Sequence, residues 1–191
     1  MPFDAAAFQA DAFQFADAGG EFPAPPRLEI PVRTAILDAL VAALQAAALT
    51  VRGGPVTVVR ARVESVAAEE LPLLAVQGSD LAARPGDTLS TVYTLRVTLG
   101  CYLSADTEDR TERDAAELHA KVIRALIRPD PVLAPAPLML ADGATEIWLE
   151  ETGLLVEPAS VAETDTPFAM AAIGLSAEVA MPIGNPFLTL P

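Results

Sequence analysis

The stretch Leu89–Leu103, LSTVYTLRVTLGCYL, sets Leu89, Thr91, Tyr93, Leu95, Val97, Leu99, Cys101 and Leu103 on odd positions, with Ser90, Thr94, Arg96 and Thr98 among the even ones. Side chains that alternate with a period of two belong to a β-strand with one dry and one wetter face. At roughly 3.3 Å per residue the strand would reach about 50 Å, longer than most single-domain sheets need, so part of it is expected to bend or project as a hairpin arm. Val92 and Tyr102 on the even side ask for some covering of that face too.

Working outward, Phe168–Met181 repeats the pattern, with Ala169, Ala171, Ile173, Leu175, Ala177, Val179 and Met181 on one side and Pro182 closing the strand. Pro55–Ser65 (PVTVVRARVES) sets Val59, Ala61 and Val63 against Arg60, Arg62 and Glu64, which predicts a strand with one wet face. A short strand is expected over Leu73–Gln77, followed by a polar loop from Gly78 to Asp87, and Thr145–Glu151 (TEIWLEE) alternates again.

Two segments carry the helical period instead. Pro31 stands where its missing N–H costs a first turn nothing, and Val32–Leu49 contains no breaker before Gly53-Gly54-Pro55; Ile36, Leu40 and Leu44 give one buried face. A second helix follows the possible caps between Ser104 and Asp109 and runs to about Arg128, with Ala115, Leu118, Val122, Ala125 and Leu126 as its core stripe. The order of elements implies an α+β fold: a mixed, mainly antiparallel sheet with two helices packed on one face, plus extended N- and C-terminal arms. The division is an N-terminal arm over 1–26, a single domain over 27–182 and a C-terminal arm over 183–191. The 191 residues suffice for one core and are few for two.

The N-terminal arm repeats Ala-Phe-Gln at Ala7–Gln9 and Ala12–Gln14, and Phe3, Phe8, Phe13, Phe15 and Phe22 make it unusually aromatic. Docking on a neighbouring subunit and a terminus without fixed order are both open readings of it. Phe187 and Leu188 are expected to be exposed on the C-terminal arm. Trp148 reads equally well as an exposed contact anchor or as a core residue with a partner for its N–H.

Composition narrows the function. Twelve basic and 26 acidic residues give a formal charge of -14, which repels phosphate and anionic lipid. No run approaches the roughly 18 apolar residues of a membrane span, and the acidic, amide-rich start lacks the basic residues of a secretory leader. The expected site of synthesis is the cytoplasm. Cys101 stands alone, so neither an internal disulfide nor a cysteine-based metal site can form within one subunit. One histidine, His119, is too few for the usual acid–base or metal chemistry. The acidic run Asp106, Glu108, Asp109, Glu112, Asp114 lacks the spacing and glycine of a calcium loop and reads as a solvated helix start. Neither a phosphate loop nor a nucleophile elbow is present. The expectation is no enzyme, no cofactor and no metal.

The pieces VRTAILDALVAAL, VTVVRARVES, LPLLAVQ, TVYTLRVTLGCYL and DTEDRTERDAAELHAKVIRALI, with the closing long strand, cover about Pro31–Met181. In order and texture they resemble the tail terminator and tail completion family of long-tailed bacteriophages, of the lambda-like minor tail protein U type. The resemblance implies a virion protein that forms a hexameric ring, binds the last ring of tail-tube protein, ends tube polymerisation and joins the tail to the head connector. It also implies that DNA crosses the lumen without specific binding. The long N-terminal arm and the extra residues near Pro129–Ala144 depart from the family pattern. Candidate interface residues are Phe8, Phe13 and Phe15 in the first arm, Asp80, Arg84 and Asp87 in the polar loop, Trp148, and Phe187 and Leu188 in the second arm. The alternative is another virion subunit: a head-closure, baseplate or minor tail component. A small hydrolase would have to route Ser or Asp chemistry through His119, and an accessory binding module would use Trp148 and the phenylalanines.

Overall fold

A computed structural model describes residues 29–61, 66, 68–87, 89–104, 108–127, 136–160 and 168–189. In chain order these form β1 (Glu29–Pro31), α1 (Val32–Ala46), β2 (Thr50–Val51), β3 (Gly54–Pro55), β4 (Thr57–Arg60), a 3-10 turn at Ala68–Glu70, β5 (Leu73–Pro85) and β6 (Ser90–Ser104). They continue with α2 (Glu108–Leu126), β7 (Leu138–Met139), β8 (Glu146–Ser160), β9 (Phe168–Pro182) and β10 (Phe187–Thr189). The fold is α+β. Its main sheet has the order β4-β5-β6-β9-β8-β7, antiparallel except for the β4–β5 pair.

The long alternating stretch is the centre of that sheet. β6 and β9 pair without interruption from Ser90↔Pro182 to Ser104↔Phe168, so the odd positions of both strands share one face. On that face Leu95, Leu99, Leu103, Ile173 and Leu175 are fully buried beneath both helices, which supply Ile36, Leu40, Leu44, Leu118 and Val122 to the same core. Each such side chain stabilises the fold by about 1.5–3 kcal/mol relative to leaving it in water. Both helices therefore cover one face, as expected.

Several boundaries differ from the expectation. Pro31 is the last residue of β1 and caps α1 from outside, and the first helical N–H, of Val32, donates to the Pro186 carbonyl at 2.8 Å. α1 stops at Ala46, well before Gly53, because the chain must reverse at Ala48 (φ 46) to return Leu49 and Val51 to the core. Val56, just before β4, and Val58 within it point inward, while Val59 is half-buried and Arg60 reaches Asp38 of α1 at 2.5 Å; β4 is a short edge strand whose even side faces the helix. Arg62, Val63 and Glu64 lie outside the described residues.

The expected loop from Gly78 is strand as far as Pro85. A bulge between Gly78 and Leu81 shifts the register, and pairing with β6 then continues to Pro85↔Thr91. β6 is bordered by β9 along its whole length and by β5 along most of it, so the length of Leu89–Leu103 is taken up inside the sheet and not by the projecting arm expected from it. β8 likewise runs on past Glu151, through a bulge at Gly153 (φ 151), to Ser160.

The carboxy end is a strand rather than a free arm: β10 pairs with β1, Leu188 opposite Ile30. That pairing turns Leu188 inward to 2% exposure, which corrects its expected place on the surface; Phe187 remains exposed. The first arm, including Phe8, Phe13 and Phe15, lies outside the described residues.

A second tie anchors the β2–β3 hairpin. Its two-residue loop, Arg52 (φ 52) and Gly53 (φ 77), has both residues in the left-handed region, as a type I′ turn requires. Lys121 of α2 donates to the Thr50 carbonyl at 2.6 Å, and Arg52 meets Asp114 of α2. Asp114 is thus a buried, paired group, not part of a solvated helix start.

Candidate functional site

With both helices on the odd face, the even face of β6 and β9 is the side the described helices leave open. The register places Arg84 (β5), Val92, Thr94, Arg96 and Thr98 (β6), Ala172, Gly174, Ser176 and Glu178 (β9), and Trp148 and Glu150 (β8) on it. Most of these side chains are small. Alternation explains the composition: these are the polar and small even positions left over when the odd ones went to the core.

Two features stand above this flat ground. Trp148 lies opposite Glu178 and is 52% exposed, so of its two readings the structure supports the surface one. Leu155, opposite Ala172, is 58% exposed. The Gly153 bulge puts Leu155 there: one extra residue switches the parity of β8, so Leu155 follows Trp148 and Glu150 onto the outer face. Beside Leu155 lies a shallow depression of about 300 Å³ bordered by Thr98, Thr152, Leu155, Ala172 and Gly174. Leu155 and Glu178 were not singled out from the sequence. The run Gly153-Leu154-Leu155-Val156 was the available signal, a β-prone stretch directly after a glycine.

The candidate residues fall into separate places. Arg84 reaches across β6 to Glu178 at 3.0 Å, an exposed pair of small energetic weight that nevertheless links it to the Trp148 site. Asp80 sits in the β5 bulge and is exposed. Asp87 occupies the β5–β6 turn, where its carbonyl accepts from the Ser90 N–H at 3.0 Å. Beside that turn the Ile183 N–H donates to the Leu89 carbonyl, bringing two exposed apolar side chains to one end of the sheet. Phe187 lies apart, on the β1–β10 ribbon.

His119 of α2 meets Glu151 of β8 at 2.6 Å (Nε2 to Oε1) on the helix side of the sheet. Among the described residues no group of three or more His, Cys, Asp and Glu is placed to hold a metal ion. Cys101 is buried, and desolvation pushes its thiol up to about 12. No described helix is long and apolar enough to cross a membrane. What the outer face offers is contact area, apolar at Trp148 and Leu155 and charged at Glu150 and Glu178.

No protein-family model matches the chain, and none of the curated proteins matches it in sequence at a significant level.

Proposed function

We propose that this chain is a non-enzymatic structural subunit of a long-tailed bacteriophage virion, of the tail-terminator kind. Copies assemble into a six-fold ring that caps the tail-tube protein, ends its polymerisation and meets the head connector, with DNA passing through the lumen. The observation that carries the reading is the one-sided sheet: two helices cover one face, while the other presents Trp148 and Leu155 to solvent. Exposed large apolar side chains on a flat, small-residue surface are what a subunit contact uses. The order of elements supports it as well, since helix, short strands, long hairpin, helix and closing long strands occur in the order that the resemblance implies. The formal charge of -14 suits a channel through which DNA slides without being held.

Native mass measurement with negative-stain imaging of the purified full chain tests this. The expected result is a ring about as wide as a tail tube, of roughly six copies. A compact monomer at every concentration would sink the reading.

A further inference from the structure

The main sheet ends in two long strand edges that no described strand covers. β7 pairs with β8 only at Glu146 and Ile147, and no described strand borders the outer edge of β8 from Trp148 to Ser160. β4 pairs with β5 only from Leu73 to Val76, and the Gly78 carbonyl accepts from Arg33 at 2.6 Å, so no described strand borders the outer edge of β5 from Ser79 to Pro85. At about 3.3 Å per residue these edges span about 40 Å and 25 Å. Such an edge is a template for pairing with another chain. Four of the large apolar side chains exposed on the described surface lie on the two edges: Leu81 on β5, and Trp148, Leu154 and Leu155 on β8.

We propose that the β5 edge of one copy pairs with the β8 edge of the next, joining two main sheets into one continuous sheet within the assembly. The inference rests on the self-assembling reading above and names the contact that would build it. Charge chooses the partner edge. β8 carries Glu150 and Glu151 and no base from Trp148 to Ser160, so pairing β8 with β8 sets acid against acid. The open part of β5 carries one acid and one base, Asp80 and Arg84, the latter also 3.0 Å from Glu178, so it is the less acidic of the two edges, and it offers Leu81, Ala82 and Ala83 between them. Because the two edges lie on opposite sides of the sheet, this contact is head-to-tail, which generates rings when the rotation closes. Each bulge leaves a regular run on its strand, Leu81–Arg84 and Leu154–Glu157, paired on the inner side and without a described strand on the outer one.

The test uses the full chain carrying Ala82→Cys, Leu155→Cys, or both, treated with a short bifunctional maleimide; Cys101 is buried and stays unmodified. Head-to-tail pairing predicts a ladder through trimer and beyond on denaturing gels for the double variant, and no ladder for either single one. Assemblies of native mass that yield no ladder would overturn this contact while leaving the ring reading intact. Cross-linked dimers from Leu155→Cys alone would replace it with a symmetric contact. A double variant that remains monomeric by native mass, alongside a monomeric wild type, would overturn both readings.

Discussion

The Asp114 carboxylate, its side chain 9% exposed, lies 2.5 Å from the Arg52 guanidinium, which is 31% exposed. The pair binds a two-residue hairpin loop to the middle of α2, and it helps hold Arg52 at a φ of 52, a conformation that costs a non-glycine residue about 1–2 kcal/mol. The two partners are unequally wet, and that inequality has a measurable consequence.

Removing Arg52 leaves a carboxylate in a nearly dry place, whereas removing Asp114 leaves a guanidinium that water can still reach. Arg52→Met is therefore expected to destabilise the protein by about 2–3 kcal/mol and Asp114→Asn by about 1 kcal/mol, below the figure for a fully buried pair because Arg52 is partly solvated. Urea unfolding of the two variants checks the order. Equal losses, or the reverse order, would mean that the pair is more solvated than its geometry indicates.

Asp142 governs the turn that sets β7 against β8. Its carboxylate accepts from the Ala144 N–H at 3.0 Å, the Thr145 N–H at 2.9 Å and the Thr145 hydroxyl at 2.5 Å. Partial burial alone would raise its pKa, but the bonds from Thr145 and Ala144 outweigh that and hold it below the usual value. A depressed folded pKa contributes stability that is present above the unfolded value, about 3.9, and is lost as pH falls through the folded one. Asp142→Ala should cost about 0.5–1.5 kcal/mol near pH 7, a hydrogen-bonding loss at a half-exposed site. The gap between variant and wild type should narrow below about pH 4. A gap that stays constant down to acid unfolding would show that the charge plays no part.

How far the sequence discloses this fold depends on whether the deciding contact is local. The odd–even pattern of Leu89–Leu103 and Phe168–Met181 needs nothing beyond its own residues, because each strand has one face in the core, and both strands are found, except that Leu89 belongs to the turn before β6 and is exposed. Ser79–Pro85 has no such pattern: both its faces are wet, and only pairing with Thr91–Leu95 makes it a strand. Asp114 looks like any acidic residue near a helix start until the distant Arg52 arrives beside it. Leu188 looked exposed because its partner Ile30 lies at the other end of the chain. Of the candidate site, Arg84 and Trp148 were legible as conspicuous residues in polar surroundings. Leu155 was not, because a single inserted residue at Gly153 decides which face it takes.

Cys101 sits on the core face of β6, and burial raises its thiol to about 12. Since the thiolate is the reactive form, alkylation of the native protein near pH 8 should be slower than that of an unfolded cysteine by several orders of magnitude. Unfolding in guanidinium should restore ordinary reactivity. Mass spectrometry after a timed iodoacetamide pulse measures both states. Rapid labelling of the native protein would require β6 to open locally, contrary to its place at the centre of the sheet.

Trp148 is the only tryptophan in the chain, so its fluorescence reports on one position of the outer face. At 52% exposure, beside Glu178 and Glu150, the indole of a free subunit should emit at the long wavelengths of a hydrated ring and be readily quenched by acrylamide. If self-association covers this face, a concentration series should shift the emission to shorter wavelengths and reduce quenching together with the rise in mass. Trp148→Ala should then weaken assembly by about 2 kcal/mol or more per contact, the usual effect of truncating a central aromatic anchor, with little change in the stability of the subunit because the ring makes few core contacts. Emission that stays fixed while the mass rises would place Trp148 outside the contact, and the association would have to use another surface, such as the sheet end that carries Leu89 and Ile183.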